Sequence, residues 1–395
     1  MRKQVGLATC CAFLLAAAGA AAEEDAPSGS CGSIETPAAE PAPSYSPPDY
    51  STDQEGATAK EAENKAIDTW TKYQQEVRAA LLASRSPRDW ALSTLVGMPF
   101  DAAGHDRTEA NAADRELLSK AATNAPEDAV VQWIRLWRER GFDHPDVPVR
   151  AALRDIEPDN AALWMDDLND AAKAKDETGV DFILSRMAHG QTFDNHYALV
   201  NGALVDAIKR FPAPTDAPAV SGLAPAESGD AIAETMAMAF ASMYAFPAYQ
   251  RLVDACRFDA GSGDGASRRN DCGAIGRLMA RNGTDLISVR IGEVVLRVSQ
   301  MYTDEDVKFS RDIDWINDQF SSVMRGWDEH DTQGLRHFQR WAQEANELEA
   351  MRATIVAAGR PASPPLDWQD TSLRFTEKAL EQDKVRYQEL HPKSQ

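Results

Sequence analysis

Ala125-Pro126-Glu127-Asp128-Ala129 and Glu157-Pro158-Asp159-Asn160-Ala161 are near copies, 32 residues apart in a chain of 395. Each opens a helix: a proline without an N–H, then an acid or amide, then alanine. Val131 and Leu163 follow in one register, as do Leu136 and Leu168. Trp133 and Trp164 also follow, the second one position early. A lone helical hairpin cannot bury its apolar face, so a near-repeat of this length predicts hairpins stacked on one another. The expected fold class is all-α.

The period stays helical outward from this stretch. Ile67, Trp70, Val77 and Leu81 share one face of a first long helix. Pro87 suits the N1 position of a short helix carrying Trp90, Leu92 and Leu95. Tyr197, Val200, Leu204, Ile208 and Phe211 form one stripe, and Ile287, Ile291, Val294, Val298 and Met301 another. Leu335, Phe338, Ala342, Ala345, Leu348 and Ile355 form a third. Apolar runs of period two are missing.

Two breaks divide the pattern. Residues 211–229 hold prolines 212, 214, 218 and 225 with Gly222 and Gly229, and read as a linker. They separate a helical-hairpin half, 58–210, from a C-terminal helical half, 230–359. Residues 360–395 read as a second linker and a charged terminal helix. Residues 23–57, with six prolines among Ser, Ala and Glu, read as a disordered tether.

The first 22 residues read as a secretory signal. Arg2 and Lys3 precede a largely apolar run, Val5 to Gly19, too short for a membrane span, and Ala20-Ala21-Ala22 supplies a small-residue cleavage site. The expected location is periplasmic or extracellular. Cys31 follows Ser28-Gly29-Ser30, without the aliphatic residue a lipobox needs, so lipid attachment is not expected. Taking Arg2 and Lys3 from 41 basic residues leaves 39 against 62 acidic, a net charge of −23. Such acidity disfavours nucleic acid, whose binding needs phosphate neutralisation. Cys256 and Cys272 enclose a polar, Gly-rich loop and are expected to pair in an oxidising compartment.

The stretch Ile156-Glu157-Pro158-Asp159-Asn160-Ala161-Ala162-Leu163-Trp164 resembles the junction between tetratricopeptide repeats. In that family a proline ends one hairpin and a tryptophan opens the next. Asp176 matches the turn inside the hairpin, where Lys175 replaces the family's glycine. Val180, Ile183, Leu184 and Met187 match the buried side of the second helix, and Trp164, Leu168, Ala171 and Ala172 the packed face of the first. The resemblance covers about 124–190, with Pro126, Trp133, Leu136, Pro158, Trp164 and Leu168 as its repeat positions. It implies an α-α superhelix with a surface that binds a protein or peptide, and no reaction.

No constellation of catalytic residues stands out. His330 and His337, beside Asp328-Glu329 and Asp331, would lie roughly 10 Å apart along a helix, too far for one metal ion. Met236, Met238 and Met243 have the spacing of soft-metal ligands, but i and i+2 point to different sides of a helix, among apolar neighbours. Ser262 lies in the polar loop. Glu227-Ser228, the pair a lytic transglycosylase would use, lies in the linker, where no pocket raises a carboxyl pKa. Asp166, Asp167 and Asp170 are expected on the polar side of their helix. Asp304, Glu305 and Asp306 are expected at a helix N-terminus, and His189 and His196 in hairpin packing. No catalytic, cofactor or metal residue is therefore assigned. The sequence points to an exported interaction or scaffold protein with a protein or peptide partner. A second reading is an all-α envelope enzyme of the hydrolase class.

Overall fold

In a computed structural model, the structure describes residues 53–96, 108–140, 147–212, 236–238, 240–258, 266–325, 346–366 and 368. The helices in order are α1 (Asp53–Ala83), α2 (Pro87–Ser93), α3 (Thr108–Asn124), α4 (Ala129–Glu139) and α5 (Val147–Ile156). A 3-10 turn (Ala161–Trp164) runs into α6 (Met165–Lys173), followed by α7 (Glu177–Ala188) and α8 (Tyr197–Ile208). Then come α9 (Gln250–Ala255), α10 (Ala266–Asn282), α11 (Leu286–Val298), α12 (Asp304–Arg325) and α13 (Glu347–Ala357). The described residues contain no strand, only two isolated bridges, Asn160 with Thr192 and Phe193 with Gly283. The chain is all-α, as the periodicity predicts. Among the described residues no helix is long and apolar enough to cross a membrane.

The two near copies fold alike, though not as their prolines suggest. Pro126 and Pro158 lie in turns ahead of the helices. Asp128 N–H donates to Ala125 O at 3.2 Å, and Asn160 N–H donates to Glu157 O at 3.2 Å. Proline pre-sets the backbone at the second residue of such a turn. The helix then starts on a cap: Asp128 Oδ1 accepts from Val130 N–H at 3.0 Å, and Asn160 Oδ1 from Ala162 N–H at 3.1 Å. Counting from these caps, Val131 matches Leu163, Leu136 matches Leu168, and Trp133 matches Met165. All six are buried.

Trp164 is thus one residue out of register with Trp133, about 100° around a helix. It is not the core residue that its type suggests. Its half-buried indole lies between two guanidiniums, with Arg154 at 4.2 Å and Arg186 at 5.4 Å from the ring centre. Phe182, 60 % exposed, meets it edge-on. The acids beside it are also not simply solvated. Asp166 is buried against Arg140 (3.1 Å), and Asp167 and Asp170 hold Arg150 at 2.8 and 2.7 Å. The Arg partners come from α5 and the end of α4, beyond the reach of the local pattern.

Val77 and Leu81 of α1, Leu118 of α3, Trp133 and Trp137 of α4 and Leu153 of α5 begin one core that continues to Ala350. α6 packs on α9, and α7 on α10, so residues from 58–210 and from 230–359 enter the same core. In α11 the predicted stripe Ile287, Ile291, Val294 and Val298 is only half-buried, and the fully covered side carries Val289, Gly292, Glu293, Val295 and Leu296. A glycine crossing sets that face. A Cβ on Gly292 would lie 2.5 Å from Ala280 N and 2.7 Å from Gly276 O. Cys256, just after α9, is bonded to Cys272 in α10, and both are fully buried.

α1 begins at Asp53, so residues 53–57 are helical rather than part of a tether. Trp315 Nε1 donates to Pro361 O at 3.0 Å and Arg311 to Leu366 O at 3.3 Å, which ties the start of 360–395 to α12. The signal, residues 23–52, linker residues 213–229 and residues 369–395 lie outside the described residues.

Two substitutions test the register. Trp133→Ala is expected to cost about 3–5 kcal/mol as a buried large-to-small change, while Trp164→Ala, which loses two guanidinium contacts at a half-buried site, costs about 1–2 kcal/mol. Urea denaturation measures both, and equal losses would contradict the assigned register. Lys175 sits at φ +55° beside Asp176, the cap of α7. Lys175→Gly should therefore raise stability by about 0.5–1 kcal/mol in the same assay.

Candidate functional site

α8 has two apolar sides of different character. One buries Tyr197, Val200, Leu204 and Ile208. The other presents Ala198, Leu199, Gly202 and Ala203, with Asp206 at its end. With Arg88 of α2 and Asp128, Ala129 and Val130 at the start of α4, these residues line a groove of about 350 Å³. That is at the lower end for ligand pockets. Leu199 is 43 % exposed within it.

Gly202 lies in the middle of a 12-residue helix. Glycine there costs roughly 0.5–1 kcal/mol relative to alanine. A Cβ at this position would meet nothing within 4 Å, so packing does not require the glycine. Its effect is on the groove, where it leaves helix backbone bare.

Ion pairs fix the groove's edges. Arg88 Nε donates to Asp128 Oδ2 at 2.8 Å. Arg210 donates to both oxygens of Asp89 at 3.0 and 2.7 Å. The Arg210 hydrogen bonds hold the Asp89 carboxyl below the usual carboxylate range. Asp206 is exposed, and its charge acts on the nearby Arg210.

A row of polar helix junctions sets where α8 lies. Glu157 accepts from Trp133 Nε1 (3.2 Å) and Asn160 Nδ2 (2.9 Å), and its Oε2 lies 2.8 Å from His196 Nε2. The His196 ring packs on Trp133 at 4.9 Å between centres, and its backbone at φ +54° turns the chain into α8. Burial opposes charge on Glu157, but the bonds from His196, Asn160 and Trp133 outweigh it and lower its pKa. Burial likewise opposes charge on His196, and Glu157 and Asp194 outweigh it and raise its pKa.

The row continues through Asn160, which donates to Asp194 O (2.9 Å). Asp194 accepts from His196 N–H (2.7 Å) and Thr284 Oγ1 (2.8 Å). Asn195 donates to Tyr249 Oη (2.9 Å), which lies 3.0 Å from Ser288 Oγ. Ser288 in turn donates to Asp285, the cap of α11, at 2.7 Å. Asn195, Tyr249, Asp285 and Ser288 are all buried, so this chain of hydroxyls joins helices and faces no solvent. The row ends where Glu347 Oε2 accepts from Leu286 N–H at 2.6 Å.

Of the residues singled out by sequence, Asp128 and Ala129 of the first near copy line the groove, and the repeat and site positions do not. Trp133, Leu136 and Leu168 are core, Pro126 and Pro158 are in turns, and Cys256–Cys272 is a disulfide. Met236 and Met238 are half-buried and Met243 is at the surface. Among the described residues no three His, Cys, Asp or Glu side chains converge as metal ligands. Glu227, Ser228, Ser262, His330, His337 and the acids at 328, 329 and 331 lie outside the described residues. His189 is exposed, with Nδ1 2.6 Å from Ser185 O, while His196 packs between hairpins. Comparison with protein-family models, curated proteins and solved structures returns no match.

Burial pushes the Glu347 carboxyl up to about 8, with Asp285 adding to the shift and the Leu286 N–H opposing it. The folded protein then holds a proton that the unfolded chain releases near the ordinary carboxylate value. Stability therefore falls as pH rises from about 4.5 towards 8. His196, whose pKa is raised above 6.5, adds to the loss at the upper end of that window. Glu347→Gln keeps an oxygen for Leu286 and is expected to flatten the melting temperature between pH 5 and pH 8. A variant curve parallel to wild type would show that Glu347 does not titrate there.

Proposed function

We propose that the protein is an exported, tetratricopeptide-like stack of helical hairpins that binds a segment of a partner protein or peptide in the α2–α4–α8 groove. The observation that carries this reading is Gly202. A helix-weakening residue stands where no packing needs it, and its bare backbone floors the groove. An extended peptide can approach bare backbone closely, and the exposed Leu199 gives it an apolar contact.

Other features support the setting. The cap-and-turn joints recur at 128 and 160 with their buried positions in register, as stacked hairpins require. A buried disulfide is at home in an oxidising compartment outside the cytosol.

The groove is tested by filling it. A pool of labelled, end-blocked peptides of Ala, Leu, Ser, Lys, Glu and Gln is titrated with the protein and followed by fluorescence anisotropy. Binding is expected to wild type and to be lost in Gly202→Leu. Gly202→Ala should melt higher than wild type, since alanine is worth roughly 0.5–1 kcal/mol in a helix interior. If Gly202→Leu binds as wild type does, the groove is not the binding surface.

A further inference from the structure

We infer that the start of α13 is a latch: a proton on Glu347 keeps it shut, and loss of that proton lets α13 swing away from α11 and α12. The inference does not depend on the groove. The two ends of α13 are held differently. Beyond its far end, Trp315 of α12 donates to Pro361 O at 3.0 Å, and Arg360 donates to Gln319 Oε1 at 3.2 Å. Neither bond titrates near neutral pH. Between this tie and the helix stands Gly359, at φ +75°, a conformation open to glycine and a natural pivot. The near end meets the start of α11 through three bonds. Asn346 Nδ2 donates to Gly283 O at 3.3 Å, Glu347 N–H to Thr284 O at 2.9 Å, and Leu286 N–H to Glu347 Oε2 at 2.6 Å. Only the Glu347 carboxyl among these partners titrates. Between its ends, α13 is held by a small apolar cluster apart from the main core. Leu348, Met351 and Ile355 pack there with Val289 of α11 and Ile313, Ile316 and Val323 of α12, while Ala350 joins the main core.

The surroundings of Glu347 disfavour its charged form. Asp285, the cap of α11, is a second acid at the same helix start and raises the Glu347 pKa. Tyr197 of α8 is close enough for the two groups to act on each other, and burial keeps its hydroxyl protonated. Among the described residues no cation bonds to Glu347. Arg290 of α11 is held by Glu293 and by Asp314 of α12, and Arg352 of α13 by Glu349. The docked helix therefore keeps the Glu347 proton up to about pH 8, whereas a released helix gives it up near the ordinary 4.5. Docking is at full strength below that lower value and weakens as pH rises through the window. Release uncovers the apolar side chains Val289, Ile313, Ile316 and Val323.

The experiment is hydrogen exchange of the whole protein, read by mass spectrometry at pH 5.5 and pH 8.5, with labelling times scaled to the intrinsic exchange rate. Between the two, α13 is expected to lose about tenfold more protection than α4, which carries the buried Trp133 and Trp137. Glu347→Gln keeps an oxygen for Leu286 and cannot lose a proton, so its α13 should stay protected at both. The wild-type comparison of α13 with α4 decides the matter even if that variant folds poorly. If α13 and α4 lose protection together, the protein opens as a whole and the latch is overturned. Equal protection of α13 at both pH values also overturns it. So does a result in which Asp285→Asn or His196→Gln removes the difference while Glu347→Gln retains it, because the proton would then belong to another group.

Discussion

Every helix leaves its first backbone N–H groups without partners inside the helix, and here the answers to that need are joined to one another. Asn160, Asp194, Asp285, Asn346 and Glu347 each satisfy N–H groups at a helix start. Several also bond to the next junction. Asn160 reaches Asp194, Asp194 reaches Thr284, and Asn346 donates to Gly283 O at 3.3 Å. The capping residues are thus shared between neighbours. Moving one helix start breaks bonds at another, so the placement of α8, and the groove on it, depends on the whole row.

Electrostatics adds a second, less uniform layer. Asp114 is held by Arg78 and Arg138, Asp166 by Arg140, and Asp314 by Arg290. Isolated surface pairs contribute little, but loss of one partner from a buried pair strands the other. The arginines therefore act chiefly as locks on helix position. At the row's far end, Asp285 and Glu347 crowd two acids at the start of one helix. The cost appears as a retained proton rather than as a broken contact.

The helices and the disulfide were legible in the sequence because their signals are local: a period of three and four, a turn before a cap, two cysteines across a short loop. The two turn-and-cap joints at 125–128 and 157–160 were legible too, but the tryptophans after them misled. Residue type suggested that Trp164 matches Trp133, whereas distance from the cap gives that place to Met165. The acids at 166, 167 and 170 looked solvated because their arginines lie 13 to 26 residues away in sequence. The groove as a whole was not legible, since α2, α4 and α8 meet only in three dimensions. One mark of it stood in the sequence: Gly202 in mid-helix, beside the apolar stripe of 197–211, where alanine would suit a helix better.

The row of junctions also bears on how the chain reaches this state. Its bonds close sequence distances of 34 residues between Asn160 and Asp194, 90 between Asp194 and Thr284, and 61 between Leu286 and Glu347. A repeat array held by nearest-neighbour contacts can begin folding at any unit and spread. Closure over such distances must instead pay loop entropy before it is rewarded, which slows folding. A chain delivered from its N-terminus can form the early hairpins while it is still arriving. It cannot complete the row until Glu347 has arrived, and until then the start of α11 lacks its outermost acceptor.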